Sequence, residues 1–185
     1  MWRRRILLML VVGLVVAIPL TLVLRDSDEP AAESGEPSLD ELVPLNPVVG
    51  DSEIDAVYQV PEGWRLERED GALTLRSSDE TVQIGISSPG RADESGSVLD
   101  QALAALKDTY DDVEVSPGSG KRVGGLPAEG AVVSAKSQGA ELRILVAVTE
   151  GRRRAYLVEV FTAASAPPRR VAEAQRFLDS LELKG

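Results

Sequence analysis

The chain of 185 residues has no cysteine and no histidine, and only 4% of its residues are aromatic. Without cysteine there can be no disulfide, thiolate metal site, cysteine nucleophile or lipid-modified N-terminal cysteine. Without histidine the chain lacks the commonest metal ligand and the side chain that most often moves protons near neutral pH. Basic charge is also short: 20 Lys and Arg stand against 30 Asp and Glu, a net charge of -10. A net-acidic chain has no general attraction for phosphate backbones, so nucleic acid is excluded as a partner. What is present is 43% hydrophobic and 27% charged residues. That is enough apolar content for one folded domain with appendages.

The charge is distributed in three regions. Arg3, Arg4, Arg5 and Arg25 bracket an uncharged run, Ile6–Leu24, rich in Leu, Val and Ile. As a helix this run would be roughly 28 Å long, close to the ~30 Å hydrocarbon core of a bilayer. Gly13 and Pro19 are tolerated in membrane spans. Arginines before the span and acids after it place residues 1–5 in the cytoplasm and everything beyond Leu24 outside. A cleaved signal peptide shares the charged start and apolar middle. Thr21-Leu22-Val23-Leu24-Arg25-Asp26 offers no pair of small residues for cleavage, which favours a retained signal-anchor.

Residues 25–53 read as an acidic, Pro-rich disordered linker. From 26 to 53 there are nine acids, no basic residue, and Pro30, Pro37, Pro44 and Pro47. Such a segment buries too little apolar surface to offset its ordering entropy. Its expected role is a stalk, with a root-mean-square reach of about 30 Å.

Residues 54–185 read as a complete extracytoplasmic domain. Period-two alternation predicts strands at 56–60, 64–69, 72–77 and 81–87, with Asp70-Gly71 as a hairpin turn. Leu73, Leu75, Val82, Ile84 and Ile86 then share one face, while Thr74, Arg76, Gln83 and Ser87 face a side that is wetter or less tightly covered. Gly85, in mid-strand, marks a bulge or a close packing contact. A polar loop is expected at 88–96. Ser97 and Asp100 then form a capping box for a helix over 98–110 with a Leu99, Ala102, Leu103, Leu106, Tyr110 stripe. A short piece at 113–116 and a glycine-rich stretch at 117–130 lead to strands at 131–136, 141–149 and 155–162. The last two are apolar on both sides and belong in the middle of a covered sheet. Pro167 and Pro168 open a final helix with Val171, Ala174, Phe177, Leu178 and Leu181 as its stripe. The expected fold is α+β, with an antiparallel sheet of six or seven strands in two meanders, flanked by two amphipathic helices.

Three stretches carry a resemblance. They are Tyr58-Gln59-Val60-Pro61-Glu62-Gly63-Trp64, Val123-Gly124-Gly125-Leu126-Pro127-Ala128 and Ala174-Gln175-Arg176-Phe177-Leu178-Asp179-Ser180-Leu181. With the order of elements, they make the chain resemble the PsbP-like superfamily, closest in type to the actinobacterial LpqN-type lipoproteins. The resemblance implies an antiparallel sheet between helices and a binding or accessory role, and it supplies no catalytic motif. The chain departs from the LpqN type in lacking the lipid-attachment cysteine, and the membrane span at Ile6–Leu24 would anchor it instead.

Other motifs fall short. Gly118-Ser119-Gly120-Lys121 is not a phosphate loop, because Val115 and Arg122 stand where Gly and Ser or Thr are required. Asp108, Asp111, Asp112 and Glu114 lack the spacing of a calcium loop and read as a solvated helix end. No catalytic residue, metal ligand or cofactor site is expected, and Trp64 is expected to pack at the sheet edge. The function that follows is a membrane-anchored binding or accessory module whose partner is an unknown envelope protein or ligand. The alternative is a cell-envelope hydrolase using carboxylate acid–base chemistry, which clustered acids in a deep pocket would favour. The one candidate partner site is Arg152, Arg153 and Arg154, at the tip of a central hairpin. The final helix should return Lys184 towards that tip, while Arg169 and Arg170 should lie at the opposite end.

Overall fold

The computed structural model describes residues 44–118 and 121–184. The span expected at Ile6–Leu24 and the first part of the linker lie outside the described residues. Among the described residues no helix is long and apolar enough to cross a membrane.

The architecture is α+β, with more strands than the alternation alone distinguished. In chain order the strands are β1 (Val49–Asp51), β2 (Ala56–Tyr58), β3 (Arg65–Glu69), β4 (Ala72–Arg76) and β5 (Val82–Arg91). Helix α1 (Ser95–Thr109) follows, then β6 (Asp111–Pro117), β7 (Lys121–Val123), β8 (Leu126–Ser137), β9 (Ala140–Glu150) and β10 (Arg154–Ala163). Helix α2 (Pro168–Ser180) and β11 (Glu182–Leu183) close the chain. Eight strands form one antiparallel sheet in the order β3-β4-β5-β10-β9-β8-β6, with β7 also on β8. A second, three-stranded sheet runs β1-β2-β11.

Several boundaries differ from the sequence reading, each for a local reason. The acidic stretch is not all linker: Leu45 bridges Pro61, and β1 pairs with β2. The folded unit therefore takes in residues 44–53, whose backbone bonds outweigh their poor apolar content. The expected polar loop at 88–96 is instead the end of β5 and a 3-10 turn, Ala92–Glu94. Ser88 and Pro89 together oppose Tyr156 in a bulge, where proline's missing N–H costs no ladder bond. The expected capping box at Ser97 and Asp100 does not form. Glu94 accepts from the Arg91 amide at 3.0 Å, and α1 begins at Ser95, ahead of Ser97. In the glycine-rich stretch, Gly124 and Gly125 both have positive φ and turn β7 into β8, the same two-residue geometry seen at Asp70-Gly71.

The large sheet is covered on both faces. Val98, Ala102 and Leu106 of α1 pack with Ile144, Val146, Leu157 and Phe161 on one side. On the other, Ala174 and Phe177 of α2 join Tyr58, Leu75, Ile84, Ile86 and Val158, and the small sheet completes that core. The α2 stripe is rotated from the expected one. Val171 is 45% exposed, and Arg170 and Glu173 are buried in its place. Pairing of Arg170 with Glu173 and Asp79 draws this side of the helix inward. Gly130 pairs with Ala147 of β9, and a Cβ there would collide with the Val146 carbonyl oxygen.

Candidate functional site

Helix α1 lies chiefly over β9 and β10, and the same face of the sheet turns polar towards β5, β4 and β3. Register places Thr74, Gly85 and Glu159 side by side across β4, β5 and β10. One step along, Gln83 lies between Arg76 and Phe161, and on the other side Ser87 lies between Ala72 and Leu157. These residues are buried, so this is the less tightly covered of the two faces rather than a wet one, and it forms the floor of a cavity of about 460 Å³. Gly85 makes neither of the features expected of it. Its missing side chain leaves space over the floor, where a Cβ would stand 3.9 Å from the nearest Glu159 carboxylate oxygen. The bulge lies further along β5.

Glu159 is 1% exposed and sits in a strand whose buried stretch is otherwise apolar. Burial raises its pKa to about 7, because a carboxylate loses far more hydration than a carboxylic acid. Its Oε1 and the Nε2 of buried Gln83 have no hydrogen-bond partner. Tyr110, at the C-terminal end of α1, has its hydroxyl pushed up to about 12 by burial and by the nearby Glu159 charge. A titratable acid, an amide and the hydroxyls of Thr74 and Ser87 therefore meet a space large enough for a small molecule.

The mouth of the cavity is charged. Glu53, Glu67, Glu69 and Asp70 line it, with Arg68 and Arg154. Arg68 donates to Asp51 at 2.9 Å and to the Tyr58 hydroxyl at 2.7 Å. Arg154 donates to the Glu53 carbonyl.

The three arginines singled out in the sequence are all exposed at the β9–β10 turn, closed by a 2.9 Å bond from the Gly151 amide to the Arg154 carbonyl. Arg152 and Arg153 form the tip, while Arg154 begins β10 and reaches the cavity rim. Lys184 lies near the start of β10: its amide donates to the Asp55 carbonyl at 2.9 Å and its carbonyl accepts from the Tyr156 hydroxyl at 3.2 Å. This end of the domain thus also carries Glu53 and Asp55.

A second polar centre lies on the opposite face and serves packing. The Glu173 carboxylate, 1% exposed, accepts from Trp64 Nε1 at 3.0 Å and from Arg170 at 2.7 Å. Arg170 also donates to Asp79 at 3.0 Å and to the Ser78 hydroxyl at 2.7 Å. Burial raises the Asp79 pKa, but hydrogen bonds from Ser77, Arg170 and Thr81 outweigh it and hold the carboxyl well below its usual range. Trp64 is thus buried and bonded to α2. In the acidic group after α1, Asp112 pairs with Lys136 at 2.8 Å. Ser119 and Gly120 of the glycine loop lie outside the described residues.

Sequence reasoning missed Glu159 and Gln83 as site residues. The available signal was a lone acid inside Ala155–Phe161, which is otherwise apolar. A charge in the middle of a two-sided buried strand is costly unless it has a role.

No protein-family model matches the chain, and no curated protein matches it. Solved structures do. The yeast Ran-binding protein Mog1p from Saccharomyces cerevisiae matches with a TM-score of 0.54 and 11% identity, over 76% of this chain and 96% of its own. Cyanobacterial PsbP from Synechocystis sp. matches with a TM-score of 0.52 and 14% identity, over 81% and 98%. LpqN of Mycobacterium tuberculosis, involved in cell envelope biogenesis, matches with a TM-score of 0.51 and 15% identity, over 75% and 90%. The chain also matches a Bacteroides thetaiotaomicron structure with a TM-score of 0.50, spanning 48% of that protein's length. The fold is PsbP-like, as the sequence resemblance implied. At these identities the likeness speaks for the fold alone.

Proposed function

We propose that this chain is a membrane-anchored, extracytoplasmic binding or accessory module of the cell envelope, and that the cavity over Gly85 is where it binds. The observation that carries this reading is the pair of buried, unpartnered polar atoms, Glu159 Oε1 and Gln83 Nε2, at the cavity floor. Leaving such groups unsatisfied costs about 1–3 kcal/mol each, a cost that a bound ligand recovers. The fold shared with a Ran-binding protein and with a cell-envelope protein supports a binding role. The apolar run at Ile6–Leu24 and the arginines before it support the anchor and its orientation. Arg152 and Arg153, exposed beside the cavity rim, form a second contact surface for carboxylates or phosphates on an envelope partner.

The acids around the cavity favour a second reading, a carboxylate hydrolase. Its natural acid–base pair would be Glu159 and Glu67, which lie three strands apart in one row. At about 4.8 Å per strand their Cα atoms are about 14 Å apart, a span that two glutamate side chains reaching towards each other bring within the roughly 5–9.5 Å of glycosidase carboxyls. Glu67, however, is drawn away to Arg76, at 3.7 Å, and is not free to act as the partner acid or base. Binding is therefore the better supported of the two.

Gly85→Val tests the cavity, because the added side chain fills the space over Glu159. Native mass spectrometry of the protein isolated from its own membranes should show a co-isolated small molecule on the native chain and none on the variant. Identical spectra would count against the cavity. Hydrolysis of envelope polysaccharide by the native chain, lost in Glu159→Gln, would establish the second reading.

A further inference from the structure

From the charges around the cavity and the chemistry of its floor, we infer that the ligand is a primary aliphatic amine whose ammonium group seats on the Glu159 carboxylate. The inference rests on reading the cavity as the binding site and names the ligand class that fits it.

Four acids at the mouth and Glu159 on the floor face two arginines. Arg68 is paired with Asp51 and Glu67 with Arg76, which leaves Glu53, Glu69 and Asp70 at the mouth against Arg154. The cavity is therefore net negative, which repels anions and attracts cations. An ammonium group has three N–H donors and no acceptor. The floor offers matching acceptors in the Glu159 carboxylate, whose Oε2 lies nearest the space over Gly85, and in the Thr74 and Ser87 hydroxyls. A guanidinium also pairs with a carboxylate but is broader, and the opening left by a single missing side chain at Gly85 suits the compact ammonium. A neutral amide would leave the acids at the mouth unanswered. Gly85 opens the slot, and Gly71 and Ala72 line its way out with little bulk for an apolar stem to meet.

The ammonium also resolves the cost of burying Glu159. A carboxyl that holds its proton to about pH 7 gives it up when a cation arrives, because the pair then replaces lost hydration. The groups facing Glu159 do not compete for that role. Val146 opposes it on β9, Gly85 and Gln83 lie on β5, Thr74 lies on β4, and the α1 residues that pack on this face are apolar. Tyr110 stays neutral to about pH 12, and Glu67, at the far end of the row, pairs with Arg76, which lies beside Gln83 in the next row.

The test is a calorimetric titration of the full-length chain with n-pentylamine and, separately, with n-pentanol, which has the same stem and no charge. At pH 8 pentylamine should bind at least tenfold more tightly than pentanol. Its affinity should fall about tenfold between pH 8 and pH 6, following the ionised fraction of a group titrating near 7. Glu159→Gln should abolish both the preference and the pH dependence. Gly85→Val, which keeps the acid, should block both probes. A peptide with one lysine, run beside pentylamine, separates the sources: tighter binding of the peptide assigns the ammonium to a protein side chain, and tighter binding of pentylamine to a free small molecule. Equal affinity for amine and alcohol, both blocked in Gly85→Val, would overturn the amine and leave the cavity as a binding site. Probe binding that Gly85→Val leaves intact, or no binding at all, would overturn both.

Discussion

Replacing Glu159 by glutamine should stabilise the protein, and by an amount that depends on pH. The folded-state pKa of about 7 lies above the ordinary 4.5, so between these values the native state holds a proton that the unfolded chain has released. Stability from this group is then fully present below pH 4.5 and is lost as pH rises through 7. At about 1.4 kcal/mol per unit, the penalty reaches about 3 kcal/mol at pH 8 and only about 1 kcal/mol at pH 5. Glutamine has the same shape and no charge, so it removes the penalty at every pH. For a folded unit of this size about 3 °C accompanies each kcal/mol. The variant should therefore melt about 9 °C higher than the native chain at pH 8 and about 3 °C higher at pH 5. Thermal denaturation followed by circular dichroism, run on both proteins at both pH values, reads the difference directly. Other titrating groups cancel, because both proteins carry them. A gain that is the same at both pH values, or a loss at pH 8, would refute the reasoning that Glu159 is buried with its proton.

Glu173→Ala should cost about 1–3 kcal/mol, because it leaves the Trp64 N–H unpaired while Arg170 keeps Asp79 and Ser78; chemical denaturation checks this, and Glu173→Gln should cost less. A fragment spanning 44–185 should melt several degrees above one spanning 54–185. The shorter one lacks β1 and the bond from Arg68 to Asp51, and equal melting would show these residues to be incidental. Protease added to intact spheroplasts should digest the folded domain, while the full-length chain stays with the membrane. Protection of the domain would reverse the orientation drawn from Arg3, Arg4 and Arg5.

Much of the fold was legible because period-two alternation and short turns act locally. Asp70-Gly71 fixed a hairpin, and the apolar residues on both sides of β9 and β10 announced central strands. What escaped depended on contacts distant in sequence. Nothing local in the acidic stretch shows that Val49–Asp51 will find Ala56–Tyr58, or that Leu45 will meet Pro61. Helical spacing offered Val171 to the core, but Trp64 and Asp79, about 90 or more residues away, pull Glu173 and Arg170 inward instead. The site was half legible. Alternation sets Thr74, Arg76, Gln83 and Ser87 on the less tightly covered face, but the acid that gives that face its chemistry arrives on β10, which pairs with β5 only in the folded chain. Gly85 stood out in the sequence, and its meaning came from the Glu159 carboxylate beside it.

The central claim is that Glu159 is a protonated acid at the floor of an open binding cavity. The most direct measurement is carbon-13 NMR of the Glu159 side-chain carboxyl in the full-length chain, followed as a function of pH with and without pentylamine. A midpoint near 7 in the free protein, moving to lower pH when the amine is present, is the predicted result. A midpoint near the ordinary 4.5, unchanged by the amine, would contradict it.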